Sequence, residues 1–220
     1  MIGAIILAAG QSRRMGRNKL LLPYGASTVL ETIVTEVLAC PAIAEVVVVT
    51  GHEPDRVARL LAPYAVQCVF NPAYARAEML VSLQVGLRAL AAEVPAALVV
   101  PGDHPRLRRE VIQRVIDAYQ PGALVIPSYQ MMRGHPLLID RAWWSELLAL
   151  PETATLRDFI RAHEECIRYV VVETDSVLRD MDTPEEYQSM RTAEARSAQR
   201  NTSLRQLPEE QAQETQHDDQ

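Results

Sequence analysis

An unbroken apolar run, Ile2 to Leu7, opens the chain and meets the small-residue turn Ala8-Ala9-Gly10. A run of that length with that boundary predicts a strand covered on both faces. Similar runs recur at Glu45 to Thr50, where Val46 to Val49 are all valine, and at Val66 to Phe70, Ala96 to Val100, Ala123 to Pro127, Leu137 to Ile139 and Ile167 to Val172. Helical patterns fall between them: about Thr28 to Cys40, Asp55 to Leu61, Met79 to Ala92, Arg109 to Tyr119 and Thr155 to His163. In the third, Leu80, Leu83, Leu87 and Leu90 repeat at helical spacing. Caps mark several starts: Ser27 or Thr28 with Glu31 in the first turn, Thr155, and Thr183 followed by Pro184 at N1 and Glu186 at N3. Strands joined through helices require right-handed crossovers. They predict a three-layer α/β/α, Rossmann-like domain around a mainly parallel, twisted sheet. Such sheets bind ligands beyond the carboxyl ends of their strands. That rule collects Ala8 to Lys19, Gly51-His52, Asn71-Pro72 and Gly102-Asp103 on one edge.

Composition bounds what that edge can bind. The 220 residues are 48% hydrophobic and 23% charged, ordinary for one globular core. A net charge of −6 excludes a nucleic-acid surface, which needs a basic excess. Ile2 to Ala9 is too short to span a membrane and no charged segment precedes it, so a cytoplasmic protein without membrane attachment is expected. Cys40, Cys68 and Cys166 are odd in number and far apart, and no two histidines are spaced as H-x-x-x-H. Buried free thiols and no protein-bound zinc are expected. From about residue 195 the apolar periodicity ends, so the expectation is a domain over 1–194 and a disordered polar tail over 195–220.

The loop after the first strand carries the most pointed chemistry. Gly10 and Gly16 bracket Gln11-Ser12-Arg13-Arg14-Met15, and Lys19 follows, concentrating cations and backbone N–H groups as a polyphosphate requires. It is neither a Walker A loop nor a G-x-G-x-x-G fingerprint, because the glycine spacing fits neither. Spacing alone also leaves a solvated basic loop open. Asp103, in Pro101-Gly102-Asp103-His104-Pro105, closes a strand where a carboxylate can hold Mg²⁺ against phosphates, and an ordinary Pro-Gly turn is the other reading. In Asp180-Met181-Asp182 the two acids share one side of an extended segment while Met181 points inward. Trp143 and Trp144 read as core or partner-facing aromatics.

The stretch Leu7-Ala8-Ala9-Gly10-Gln11-Ser12-Arg13-Arg14-Met15-Gly16-Arg17-Asn18-Lys19 resembles the L-A-[AG]-G-x-[SG]-x-R-M-G-x-x-K signature of nucleotidyltransferases related to the molybdenum cofactor cytidylyl- and guanylyltransferases. Further segments are similar in the same order: Asn71 to Gly86 to N-P-x-[YW]…S-[LVI]-x-x-G, Gly102-Asp103-His104-Pro105 to G-D-x-P, Arg133-Gly134-His135-Pro136 to R-G-H-P, and Asp180 to Tyr187 to D-[IM]-D-T-P-E-[DE]-Y. The resemblance covers about residues 1 to 190. It implies a nucleotidyltransferase fold of the glycosyltransferase-A-like kind, with the loop from Leu7 to Lys19 around the triphosphate and Gly51, Asn71, Ser82 and Gly102 beside the nucleotide. It also implies Lys19, Arg14 and Asp103 as catalytic residues, Mg²⁺ on Asp103 and Asp182 with Asp180 a further possible ligand, and the acceptor at Arg133, Gly134 and His135.

The implied reaction moves a nucleotidyl group, CMP by the Ala8-Ala9 version of the loop, from a nucleoside triphosphate to the phosphate of a molybdopterin-type cofactor. A molybdoenzyme client is the implied partner. A sugar phosphate or other small phosphate as acceptor, and a non-catalytic carrier of the cofactor, are the alternatives.

Overall fold

The computed structural model describes residues 1–75 and 78–205, with side chains to residue 196. In chain order the strands are β1 (Ile2–Ala8), β2 (Pro23–Tyr24), β3 (Ser27–Thr28), β4 (Ile43–Thr50), β5 (Gln67–Phe70), β6 (Ala96–Pro101), β7 (Leu124–Tyr129), β8 (Met132–Arg133), β9 (Leu137–Asp140) and β10 (Ile167–Val171). The helices are α1 (Val29–Leu38), α2 (Pro54–Leu61), α3 (Met79–Ala89), α4 (Arg109–Asp117), α5 (Trp144–Ala149), α6 (Leu156–Ala162) and α7 (Pro184–Arg205).

The main sheet runs β5-β4-β1-β6-β9-β7-β10, with β8 on β7, while β2 and β3 form a separate hairpin. Pairs β1–β4, β4–β5, β1–β6 and β7–β10 are parallel; β9 is antiparallel to β6 and β7. The expected three-layer, mainly parallel architecture is therefore present. Chain order steps outward from β1 through β4 to β5, then returns to β6 on the other side of β1. The ends of β1 and β6 thus form the crevice where such sheets bind ligands.

Strand alternation explains the layers, because successive residues face opposite sides. Ile2, Ala4, Ile6 and Ala8 of β1 pack into the core formed with α1, α2, α4 and α7. Ile5 joins Val47, Val49, Ala97 and Val99 in the other core, against α3, α5 and α6. Fully burying one such side chain contributes about 1.5–3 kcal/mol, so two cores rather than any ion pair carry the fold. Trp144, 5% exposed, belongs to the second core, and Trp143 packs edge-on against Phe159 and His163 beside it.

Helix starts follow the expected caps. Thr28 and Glu31 form a reciprocal capping box on α1, and Thr155 accepts from the Asp158 N–H on α6. At α7, Glu186 accepts from the N–H groups of Asp182 (2.9 Å) and Thr183 (2.8 Å), and its own N–H donates to Thr183 Oγ1.

Two expectations are corrected. Helix α7 continues to Arg205, across the boundary expected at 194/195; alanine, glutamate, arginine and glutamine favour helix even where no apolar stripe remains, so a capped helix propagates through them. Residues 206–220 of the expected tail lie outside the described residues. Among the cysteines only Cys40 is buried; Cys68 and Cys166 are free but half-buried. Among the described residues, no helix is long and apolar enough to cross a membrane.

Candidate active site

The end of β1 sets the site. Its chain leaves the sheet at Ala8 and folds into a loop whose closing turn, residues 13–15, ends at Gly16 with φ 65°. That left-handed conformation favours glycine, which explains its place five residues beyond Gln11. The loop then pins itself: the Lys19 N–H donates to Ser12 Oγ (3.1 Å), and Asn18 caps the next turn through Leu20 N and reaches the His52 carbonyl. Alongside, β6 ends at Pro101, and the Gly102 N–H donates to Leu7 O at 3.0 Å. A Cβ on Gly102 would lie 3.0 Å from that carbonyl, so glycine lets the two strand ends close and aims Asp103 at the loop.

Between them lies a cavity of about 720 Å³. Leu7, Ala9, Gly10, Gln11, Ser12, Arg13, Arg14 and Lys19 line one side; Ser82, Asp103 and Asp182 contribute from α3, β6 and the approach to α7. Eleven of the expected residues, from four separate stretches of the chain, therefore line one cavity.

The electrostatic centre is Lys19. Its Nζ lies 2.6 Å from Asp103 Oδ2 and 2.5 Å from Asp182 Oδ1, with 10% of the side chain exposed. Arg14, mostly exposed, pairs with the other oxygen of Asp182. Burial would lower the ammonium's pKa, but Asp103 and then Asp182 outweigh it, so Lys19 is held protonated above its ordinary range. Burial would likewise raise Asp103, yet the His104 hydrogen bond and the Lys19 charge hold its carboxyl well below the usual carboxylate range. Asp180 is exposed; partial desolvation of its carboxyl and the nearby Asp182 and Asp103 raise it. The two carboxylates meet at the Lys19 ammonium, and their oxygens are hard donors. That suits Mg²⁺, which takes one or two carboxylates and fills its shell with phosphate oxygens and water. Among the described residues no cluster of three His, Cys, Asp or Glu side chains could hold a metal unaided.

Other expected residues stand behind the wall. Ala8 points into the core, 1% exposed, whereas Ala9 lines the cavity. Gly51 backs Tyr74, where a Cβ would meet Tyr74 Cβ at 2.5 Å. Asn71, 1% exposed, spends its amide internally: Nδ2 donates to Ser82 Oγ (2.9 Å) and Oδ1 accepts from Ala73 N (2.9 Å). It positions Ser82 and the following turn. The expected acceptor trio is split. Arg133 turns outward to Glu164 and the Tyr169 ring, the Gly134 N–H donates to Pro127 O, and His135 packs inward on His104. Because β9 runs opposite to β6, its start brings His135 to the site edge. His135 Nδ1 and Ser176 Oγ are buried without a hydrogen-bond partner among the described residues.

Sequence reasoning missed Tyr74, Ala75, Glu78 and Met79, which also line the cavity. The Arg13 guanidinium donates to the Ala75 carbonyl (3.3 Å), tying the two rims together. Tyr74 was within the Asn71 to Gly86 segment, but nothing in its spacing separates a wall residue from a packing one.

The chain is similar to several characterised proteins. It is 26% identical over 187 residues to the molybdenum cofactor cytidylyltransferase of Escherichia coli (strain K12), covering 84% of this chain and 93% of that one. It is 28% identical over 201 residues to the nicotine blue oxidoreductase of Paenarthrobacter nicotinovorans (84% and 94% covered), and 29% over 172 residues to the molybdenum cofactor guanylyltransferase of Mesorhizobium japonicum (74% and 79%). The fold matches a solved nucleotidyl transferase from Methanothermobacter thermautotroptrophicus with TM-score 0.79 at 24% identity, covering 90% and 99% of the two chains. With residues 4–166 matching the MobA-like NTP transferase domain, the chain belongs to that family.

Proposed function

We propose that this protein transfers CMP from CTP to the terminal phosphate of a molybdopterin-type cofactor. The observation that carries the reading is the Lys19 ammonium held between Asp103 and Asp182 at the floor of the cavity. A carrier has no need of that charge arrangement, whereas phosphoryl chemistry does.

In the reaction an oxygen of the acceptor phosphate bonds to the α-phosphorus while the α–β bridging P–O bond breaks, and pyrophosphate leaves in line. Little proton chemistry is required, so positioning and charge neutralisation supply the catalysis. The backbone of Gly10 to Arg14 cradles the triphosphate, with Ser12 fixing the loop through the Lys19 N–H. Lys19 and Arg14 offset charge building on the α-phosphoryl and the leaving pyrophosphate. Asp103 and Asp182 would hold Mg²⁺, which would supply positive charge to neutralise the phosphates. Ser82, oriented by Asn71, faces the nucleotide from α3. His135, neutral and packed on His104 behind Asp103, remains the candidate for the acceptor side; Arg133 is engaged elsewhere.

The cytidylyl and guanylyl relatives stand at 26% and 29% identity, so the base is argued from Ala9. The test is pyrophosphate release from each of the four nucleoside triphosphates, with and without molybdenum-loaded molybdopterin. Release with CTP that depends on the molybdopterin is the expected result. Release with hexose phosphates instead would move the acceptor to sugar phosphates, and binding without turnover would make the protein a carrier.

A further inference from the structure

We propose that His104 is a positioning residue for Asp103: its Nδ1–H fixes one carboxylate oxygen so that the other faces Lys19, the phosphates and the metal. The inference rests on the reading of Asp103 as a metal-holding carboxylate. His104 Nδ1 lies 3.0 Å from Asp103 Oδ1, while Lys19 Nζ lies 2.6 Å from Oδ2, so the two oxygens are claimed by different groups from different sides. A carboxylate paired with the Lys19 ammonium offers only acceptors, so a hydrogen bond at that distance needs the shared proton on His104 Nδ1.

The imidazole is itself immobilised. His104 is 5% exposed and meets the His135 ring edge-on at 5.4 Å between centroids. Its carbonyl accepts from the Leu107 N–H (3.0 Å), and behind it the His135 N–H donates to Val177 O at 2.8 Å. A carboxylate rotates easily about its last torsion, and a buried oxygen with no donor is costly. His104 removes both problems, since rotating the carboxylate would surrender a charge-assisted hydrogen bond. Such outer partners orient metal-binding groups, and their loss typically costs about 10- to 100-fold in metal affinity or activity.

Three variants separate orientation from packing. His104→Phe keeps an aromatic ring without a donor, His104→Asn places an amide N–H near the Nδ1 position, and His104→Gln carries the donor past it. Each is titrated with Mn²⁺, without nucleotide, by electron paramagnetic resonance, and kcat and KM for the nucleoside triphosphate are measured separately. Expected is a loss of about tenfold or more in Mn²⁺ affinity and in kcat for the Phe and Gln variants, with KM little changed. The Asn variant should recover both to within about threefold, a small part of that loss. Phe and Gln variants that bind Mn²⁺ like the parent overturn the inference, as does an Asn variant as impaired as the Phe one. A parent that holds no Mn²⁺, together with an active Asp103→Asn protein, overturns instead the metal reading beneath it.

Discussion

Asp103 concentrates the chemistry of the site in one side chain: two cationic or donor groups hold it ionised, and its free directions face the cavity. Asp103→Asn keeps the shape and removes the charge. Turnover should become undetectable while circular dichroism stays that of the parent; near-normal turnover would remove the assigned role. Ala9 is the residue at which base choice is argued, because it lines the cavity while Ala8 is packed in the core. Steric selection of this kind is worth about 10- to 200-fold. A CTP preference in kcat/KM of that order is expected, shrinking in Ala9→Gly; equal values for CTP and GTP in the parent would sink it. His135 supplies a pH signature. Burial, then the nearby His104, push its pKa from 6.5 down to about 4. Between those values the unfolded chain binds the proton and the folded one does not, so stability rises with pH across that window and is lost on acidification. Melting temperature should therefore fall as pH drops from about 6.5 to about 4, and a flatter slope in His135→Asn would identify the residue responsible. An unchanged slope would show that other groups set it.

Among the elements, α7 does most to complete the site, because it brings Asp182 from far along the chain to Lys19. Its start is fixed by the Thr183 and Glu186 capping box, with Glu186 holding the Asp182 N–H itself. Farther along, the Tyr187 hydroxyl donates to Pro23 O (2.8 Å) and Glu194 pairs with Arg108 (2.8 Å), so the helix is clamped to the β2–β3 hairpin and to the start of α4. Thr183→Ala should cost about 1 kcal/mol of stability, the usual loss for a cap, measured by denaturant unfolding. It should also lower kcat more than it raises the nucleotide KM, because the displaced group is Asp182 rather than the phosphate loop; an unchanged kcat would show that the clamp alone positions Asp182. The capping box was legible in Thr183-Pro184-Glu185-Glu186 because its contacts are local. The clamp was not, since Tyr187 and Pro23 stand 164 residues apart. Two-residue strands such as β2, β3 and β8 were equally invisible, being too short for any period to register.

For the whole molecule, the order of the strands turns separate motifs into one cavity. The parallel run β5-β4-β1-β6 puts four carboxyl ends on one edge, and antiparallel β9 adds its beginning there. The polar segment beyond this body is expected to add little: deleting residues 206–220 should leave melting temperature and turnover nearly unchanged, since a segment without apolar periodicity buries little surface. A fall of several degrees would show that it docks. What the sequence determined by itself is whatever depends on neighbours along the chain. Strands of β-branched residues, caps, the alternation that demands a parallel sheet, and the Gly10 to Lys19 loop all follow from local sterics and periodicity. What only the tertiary structure decided is direction. Ala8 faces the core and Ala9 the cavity, Asn71 serves Ser82, Arg133 turns to Glu164, and His104 backs Asp103. Each of those outcomes depends on which partner lies within a few ångströms, and packing between elements remote in sequence sets that distance.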